Sequence, residues 1–589
     1  MKRTHTCGEL SDKSVGKKVV LEGWIANRRD HGNLTFVDVR DRYGYTQVVF
    51  NPEADKKIHE TAKTLGKEFV VRIEGKVQKR PKGTENKKIK TGTIEVHATK
   101  LEILNKAEQP IPIEIDEHVL ASEDQRLKYR FLDLRRPVLQ EKLILRHKIL
   151  KVTRDFFDLN GFIEIETPIM GKSTPEGARD YIVPSRVHPG KFYALPQSPQ
   201  IFKQLCMVAG FDRYLQIARC FRDEDLRSDR QPEFTQIDVE MSFAEQEDIL
   251  NIMEECMAYL LQTVFKQKIK TPFPRISYNE ALNTYGRDAP DTRFELKFVD
   301  LTEELKDTEF QVFSNVIKEK GSLKAFVAPQ GCEKFSKKDL ADLLDAAKTY
   351  DAKGLITLGV KNKSFDSNIT KFLKLKHIEN VLKKTGAKEG DLILLVADQW
   401  KTACTALGGV RALAAKKLGL IDETKRNFLW VIDFPLYAWS KENERIVAEH
   451  HPFTRPQTQD IPMMEKEPLK VKAQAYDLIL NGSELGGGSI RIHERELQEK
   501  MFKVLGLSKE ESEKKFGFLL NAFKYGAPPH GGIALGVDRM VMLLAGGESL
   551  RDVIAFPKNK AAISVMDDAP NEVSVQQLKE LHLKIELGK

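Results

Sequence analysis

Between residues 235 and 243 apolar and polar side chains alternate strictly. Ile237, Val239, Met241 and Phe243 fall on one side, and Gln236, Asp238 and Glu240 on the other. A period of two predicts a half-buried strand. Arg213–Phe221 alternates less cleanly, with Leu215, Ile217 and Phe221 on one side and Gln216 and Arg222 on the other, and predicts a second strand. The polar stretch between them, which contains Pro232, predicts a long hairpin loop, with Arg222 where the first strand runs into it. Further along, Gly531–Gly536 reads as a strand of small residues and Val537–Leu544 as an apolar helix with Arg539 in its first turn. Leu145, Ile149, Val152, Phe156 and Leu159 recur at helical spacing, which predicts an amphipathic helix over 141–160.

Residues 18–100 carry five short strand patterns, at 19–25, 34–39, 46–50, 69–77 and 93–98, separated by turn signals. Five strands of this length fit an OB-fold barrel. Residues 109–130 read as a hinge. A larger body begins near Tyr129, is interrupted over roughly 293–425 by a segment with its own strand and helix pattern, and resumes at Leu429-Trp-Val-Ile-Asp-Phe-Pro435. The expected class is therefore α+β: a barrel over 1–108, a hinge over 109–130, and a body over 131–292 and 426–589 around an α/β insertion at 293–425.

At 589 residues several domains are expected. The absence of an 18-residue apolar run or a signal pattern makes a soluble cytoplasmic protein with no membrane partner the expectation. The six cysteines, at 7, 206, 220, 256, 332 and 404, are scattered without a CxxC pair, which argues against a disulfide framework and a structural zinc site. Charge changes the picture more. Residues 1–100 hold 22 Lys and Arg against 13 Asp and Glu, whereas the whole chain is only +8, so the remainder is about neutral. A basic module on a neutral body suggests a polyanion bound by that module, and a merely solvated basic face is the bland alternative. Basic residues interleaved with Phe36 and Gln47 suit single-stranded RNA, which needs stacking platforms and phosphate contacts.

The chemistry lies in two segments. The first is Arg219-Cys-Phe-Arg222-Asp-Glu224 followed by Gln231-Pro-Glu-Phe234. There the Arg222 guanidinium can fork onto a phosphate. The second is Gly531-Gly-Ile-Ala-Leu-Gly536-Val-Asp538-Arg539. A cation in a helix's first turn opposes its dipole and calls for an anion, and glycines let a flat ligand approach the backbone. Singly, they read as an edge hairpin with a solvated loop and a glycine-rich packing turn. Together they point to a bound nucleotide and to activation of a carboxylate by ATP. A P-loop is excluded: Gly171-Lys-Ser173 ends like one, but position 166 is Glu.

These two segments resemble motifs 2 and 3 of the class II aminoacyl-tRNA synthetases, and Gly161–Met170 resembles motif 1, which builds a homodimer interface. Thr174-Pro-Glu176-Gly-Ala-Arg-Asp-Tyr181, Ala194-Leu-Pro-Gln-Ser198-Pro-Gln200-Ile-Phe-Lys203, His450-His451-Pro-Phe and Glu484-Leu-Gly-Gly-Gly-Ser-Ile-Arg491 resemble the bacterial-type aspartyl-tRNA synthetases over essentially the whole chain. The resemblance implies attachment of L-aspartate to tRNA at the expense of ATP. It places Lys203 and Arg491 on the substrate side-chain carboxylate, with His450 nearby on a mobile loop. Ser198, Gln200, Glu176 and Asp238 surround the substrate, and Glu176 can pair with its ammonium. Asparagine would leave the two cations unpaired, costing about 3–5 kcal/mol for one broken buried pair.

For the nucleotide, the resemblance implies Arg222 on the α-phosphate, Arg539 on the γ-phosphate and Phe234 stacked on adenine. Asp223, Glu224, Gln231, Gly536, Val537 and Asp538 complete the nucleotide contacts, and Asp477 and Glu484 hold Mg²⁺ against the phosphates. The bland alternatives are a helix-surface acid for Asp477 and a solvated lysine for Lys203. In the barrel, Arg29, Phe36, Gln47, Arg80 and Glu95 match anticodon positions, although Phe36 fits barrel core equally well. His31 with Gly83 resembles the relaxed form that charges both tRNA(Asp) and tRNA(Asn). An imidazole donates or accepts toward either pyrimidine, and the mischarged product then passes to a tRNA-dependent amidotransferase. Three rivals stay open: a discriminating enzyme of the same fold, an amide-forming paralogue that works without tRNA, and a non-catalytic RNA-binding protein.

Overall fold

The computed structural model describes residues 2–117, 121–174, 178–224, 230–441 and 443–587. It divides into two compact units, Met1–Leu145 with Arg551–Glu572, and Arg146–Leu550 with Val573–Lys589. The division falls within the helix Pro137–Leu159.

In the first unit, β1 (Lys18–His31), β2 (Leu34–Asp41), β3 (Gly44–Phe50), β4 (Val70–Lys79) and β5 (Ile94–Asn105) close into a barrel in the order β1-β2-β3-β5-β4. Alternation explains the closure. Val19, Leu21, Val37, Val39, Val48, Val71, Ile73 and Val96 point inward and are fully buried or nearly so, while their polar neighbours point out. Glu68, buried in the barrel wall with φ +64°, accepts two hydrogen bonds from Arg40 at 2.7 and 3.0 Å and one from Arg135 at 2.5 Å. Arg135 also lies 5.1 Å from the Trp24 ring, so the segment after the barrel is pinned to it by charge and by a cation–π contact. Asp133, fully buried, pairs with Arg130 and Arg136, and Arg130 donates onward to the carbonyls of Arg551, Ile554 and Ala555.

The second unit is built on an eight-stranded sheet formed by β6 (Ile163–Glu164), β9 (Arg213–Phe221), β10 (Glu233–Ser242), β11 (Arg275–Ser277), β17 (Phe428–Ile432), β20 (Ala475–Leu480), β21 (Ser483–Ile490) and β22 (His530–Gly536). Their order is β11-β17-β20-β21-β22-β10-β9-β6, antiparallel except at the two edges. The central strands β10 and β22 belong to the two segments that the sequence separates by about 300 residues, and here they pair directly, Asp238 opposite Ala534. Two ribbons flank the sheet, β7 (Ile182–Pro184) with β8 (Phe192–Ala194), and β18 (Tyr437–Ser440) with β19 (Arg445–Ala448). The insertion forms a sheet of its own from β12 (Val299–Asp300), β13 (Ser322–Ala328), β14 (Ile356–Lys361), β15 (Ser364–Asp366) and β16 (Leu392–Asp398), with apolar cores on both faces.

Three expectations need correction. β10 is buried on both faces over 235–241, because its polar face forms the floor of a cavity instead of meeting bulk water. Phe243 does not continue the apolar row: the backbone turns left-handed there, φ +55°, and the ring is 74% exposed. Leu159, the last position of the amphipathic helix, is 75% exposed, whereas Ile149, Val152 and Phe156 are buried.

Glu68→Ala strands the Arg40 guanidinium inside the barrel wall. It is expected to lower stability by about 3 kcal/mol, measured as an earlier first transition in thermal unfolding, with partial recovery in the double variant Glu68→Ala/Arg40→Met.

Candidate active site and nucleic-acid face

The polar face of β10, the glycine-rich strands β21 and β22, and the helix Gln200–Val208 enclose a cavity of about 630 Å³, the size expected for a small-molecule site. At its base lie four charges. Lys203, from the helix, donates to Asp238 Oδ1 at 2.6 Å and lies 3.2 Å from Glu240 Oε2. Arg491, just beyond β21, grips Glu240 with Nε at 2.9 Å and Nη2 at 3.2 Å. None of the four is more than 2% exposed. Burial by itself would raise the Glu240 carboxyl, but Arg491 and Lys203 hold it down at about 2. Burial wins at Asp238, whose carboxyl is raised above the usual range despite Lys203. Its Oδ2 is buried with no hydrogen-bond partner, an open invitation to a cationic donor.

Arg491 Nη1 donates to Ser489 Oγ at 2.7 Å and to His451 Nε2 at 2.8 Å. His451 is held neutral, its pKa pushed well below the ordinary value by burial and then by Arg491. Its neighbour His450 packs edge-on against Phe434 and is lowered to about 4 by the same causes. The Nδ1 of His450 is another buried polar atom without a partner.

Around the rest of the cavity, Arg222 follows β9 directly and lies 5.1 Å over the Phe234 ring, with Nε buried and unpaired. Glu224, paired with Arg230, and Gln231 also line it. Arg539 lies in the first turn of the helix Val537–Leu544 and donates to the Glu484 carbonyl at 2.7 Å. Ser198 and Gln200 line the opposite wall. The remaining expected residues stand differently. Asp538 lines the cavity, but its carboxylate accepts from the Thr235 N–H at 3.1 Å and pairs with Arg146, so it ties helix to sheet. Val537 is packed in the core, and Asp223 bridges to Arg179 beside the cavity. Glu176 lies outside the described residues.

Asp477 is on strand β20, not on a helix surface, and faces the cavity with Glu484 and Asp288. Burial, then Glu484 and Asp288, push its carboxyl well above the carboxylate range. Negative groups crowded at this cost fit a bound cation. Among the described residues no three metal-ligating side chains cluster; Mg²⁺ is ordinarily held by one or two carboxylates plus substrate phosphates, and Asp477 and Glu484 are the pair that could hold it. The glycines are explained mostly by packing. A Cβ on Gly532 would stand 2.0 Å from the Val239 carbonyl oxygen and 2.1 Å from a Glu240 carboxylate oxygen, whereas one on Gly536, which lines the cavity, would meet only ordinary contacts, 3.6 Å from the Leu485 carbonyl oxygen.

The barrel, taken separately, presents a polar outer face. Arg29 donates to both oxygens of Asp38 at 3.1 Å and to Gln47 at 3.2 Å, Gln47 donates to Glu95 at 2.9 Å, and Glu95 meets His97 at 2.9 Å. Phe36 sits opposite Arg29 in the β1–β2 register, on the side away from the core residues Val37 and Val39. Arg80 is buried with Nη2 unpaired. His31 ends β1 and is exposed, and Gly83, at φ +90°, lies in the loop after β4.

Residues 122–560 match the family model of tRNA synthetases class II (D, K and N), and residues 19–104 match the OB-fold nucleic acid binding domain. The chain belongs to the class II tRNA synthetases. A relative from Caldanaerobacter subterraneus subsp. tengcongensis, named Aspartate--tRNA(Asp/Asn) ligase, is 54% identical over 587 residues, 100% of this chain and 99% of that one. Another from Geobacillus kaustophilus, 53% identical over 587 residues and covering the same shares, is named Aspartate--tRNA ligase. The asparaginyl-tRNA synthetase of Pyrococcus horikoshii complexed with asparaginyl-adenylate shares the fold, with a TM-score of 0.60 at 19% identity over 95% of this chain and 98% of that one.

Sequence reasoning about this synthetase passed over two residues at the base of the site, Glu240 and His451. Glu240 had a usable signal, since it lies on the same strand face as Asp238. The depressed pKa of Glu240 carries a consequence. Its ion pairs stabilise the fold fully above the ordinary value of 4.5 and lose that contribution as pH falls toward about 2. Glu240→Gln is expected to cost about 3 kcal/mol at pH 7, and the gap to wild type in urea unfolding should narrow from pH 4.5 downward. A gap independent of pH would remove the ion pairs from this account.

Proposed function

We propose that the synthetase activates L-aspartate with ATP and transfers it to the 3′-hydroxyl of the terminal ribose of both tRNA(Asp) and tRNA(Asn). The observation that carries the substrate choice is the unpaired, buried Asp238 Oδ2 beside Lys203 and Arg491 in one cavity. An amino acid with a side-chain carboxylate would bring an ammonium for the first and an anion for the cations. Contrary to the expectation of bare cations, Lys203 and Arg491 are already paired with Asp238 and Glu240, so a neutral side chain would forgo the charge-assisted contacts to them that a carboxylate makes. His451 stands where it contacts Arg491 and is neutral, so it adds a hydrogen-bonding group without further charge.

The α-carboxylate of aspartate is ionised at neutral pH and needs no general base. It attacks the α-phosphorus of ATP, and pyrophosphate leaves. The protein's contribution is orientation and charge neutralisation, with Arg222 on the α-phosphate, Arg539 on the γ-phosphate, and Phe234 against the base. Asp477 and Glu484 would hold Mg²⁺, which supplies positive charge to the phosphates. The ribose hydroxyl then attacks the mixed anhydride, and AMP leaves. We propose that the reaction takes place in the cytoplasm. Among the described residues no helix is long and apolar enough to cross a membrane. We further propose a homodimer that covers Leu159, Ile163, Ile169 and Met170, which are 75, 50, 48 and 56% exposed around the edge strand β6.

The tRNA range rests on His31 and Gly83, exposed at two loops of the barrel. Asp-tRNA(Asn) made this way would go to a tRNA-dependent amidotransferase. A second reading, charging of tRNA(Asp) alone, is favoured by the narrower name of one relative at 53% identity. Aspartylation of the two purified tRNAs side by side, at matched salt, decides between them. Comparable rates support the broad enzyme, and a preference for tRNA(Asp) of about a hundredfold (2.7 kcal/mol) sinks it. His31→Leu is expected to shift the ratio toward tRNA(Asp). Arg222→Ala is expected to abolish aspartate-dependent pyrophosphate exchange and leave tRNA binding nearly intact, and equal loss of both would contradict the assignment of RNA binding to the barrel.

A further inference from the structure

Behind the cavity wall runs a chain of three buried amide and imidazole groups. His530, the first residue of β22, is fully buried, and its Nδ1 lies 2.8 Å from the Pro528 carbonyl oxygen. A carbonyl oxygen only accepts, so Nδ1 carries the hydrogen. Burial lowers the pKa of this imidazole below its ordinary value, and the neutral ring then has a bare Nε2 that can only accept. Its partner, 3.0 Å away, is the side-chain amide nitrogen of Gln204. Gln204 is also fully buried, so its amide is committed: nitrogen toward His530, oxygen toward Gln200. That oxygen accepts from the Gln200 amide nitrogen at 3.1 Å. Gln200 lines the cavity, and with its amide nitrogen turned to Gln204 its carbonyl oxygen is the end that can accept from a ligand there. A single backbone carbonyl thus sets, through two side chains, which end of Gln200 the cavity receives.

We infer that His530 is a positioning residue which, through Gln204, holds Gln200 with its amide oxygen toward the ammonium of the amino-acid substrate. The reversed amide would bring N–H groups against that ammonium, a repulsive contact in a dry site. The inference rests on the aspartate reading above and gives the ammonium a second acceptor beside Asp238 Oδ2. It also explains why fully apolar packing is absent behind Gln200: Leu or Met at 204 would fill the space without choosing an orientation.

The test compares aspartate with succinate, which carries both carboxylates and lacks the ammonium, in pyrophosphate exchange by the full-length enzyme. Wild type is expected to show aspartate-dependent exchange that succinate inhibits; absence of aspartate-dependent exchange refutes the aspartate reading and overturns the relay with it. Given that, His530→Phe and Gln204→Met are each expected to raise the KM for aspartate by roughly ten- to a hundredfold, the loss from one broken buried hydrogen-bond relay. The Ki of succinate and the KM for ATP should stay within about twofold of wild type. His530→Gln, whose terminal amide oxygen takes the place of Nε2, is expected to restore the KM for aspartate to within about threefold. Parallel weakening of aspartate and succinate in both variants overturns the inference, because a collapsed pocket does not distinguish them. An unchanged KM for aspartate overturns it as well. If His530→Phe does not fold, Gln204→Met carries the same comparison.

Discussion

Two cations and two carboxylates, sealed from water at the centre of the sheet, set the terms for the rest of the second unit. Lys203, Asp238, Glu240 and Arg491 come from a helix, a strand and the end of another strand, and any one left alone would cost several kcal/mol in desolvation. The β10 backbone must therefore present alternate acids on one face, the helix Gln200–Val208 must lie across them, and the chain after β21 must bring Arg491 within reach of Glu240. The same constraint reaches the neighbouring strand: Gly532 has no room for a side chain because the Val239 carbonyl and the Glu240 carboxylate occupy it. The proposed site for a charged small molecule thus sits on charges that the fold already balances among themselves.

Much of this was legible in the sequence, for reasons that can be named. Strand period exposed β9 and β10, small residues marked β22, and helical spacing marked Pro137–Leu159, because those signals are local. The acids of β10 could be counted but not ranked. Asp238 and Glu240 look alike as letters, yet Glu240 lies between two cations while Asp238 keeps one oxygen unpaired. The difference arises from contacts across 251 residues of chain. Phe243 and Leu159 continue their local patterns and still end outside, because the apolar surface they would cover is gone by the end of the element. His451 was passed over beside His450 because adjacency says nothing about which ring turns toward Arg491. Gln204 and His530 carry no spacing signal, since their roles are defined by hydrogen-bond direction.

The barrel illustrates a different economy. Its core is made by inward residues such as Val37, Val39, Val48 and Val96, while Arg29, Phe36, Asp38, Gln47 and Glu95 stand on the outer face of the same strands. One residue step along a strand separates a side chain that holds the barrel shut from one proposed to meet RNA. Substitutions on the outside can therefore accumulate without opening the inside. Closure of this kind leaves the proposed RNA face free to change, and with it the choice of tRNA, while the module that carries that face stays intact.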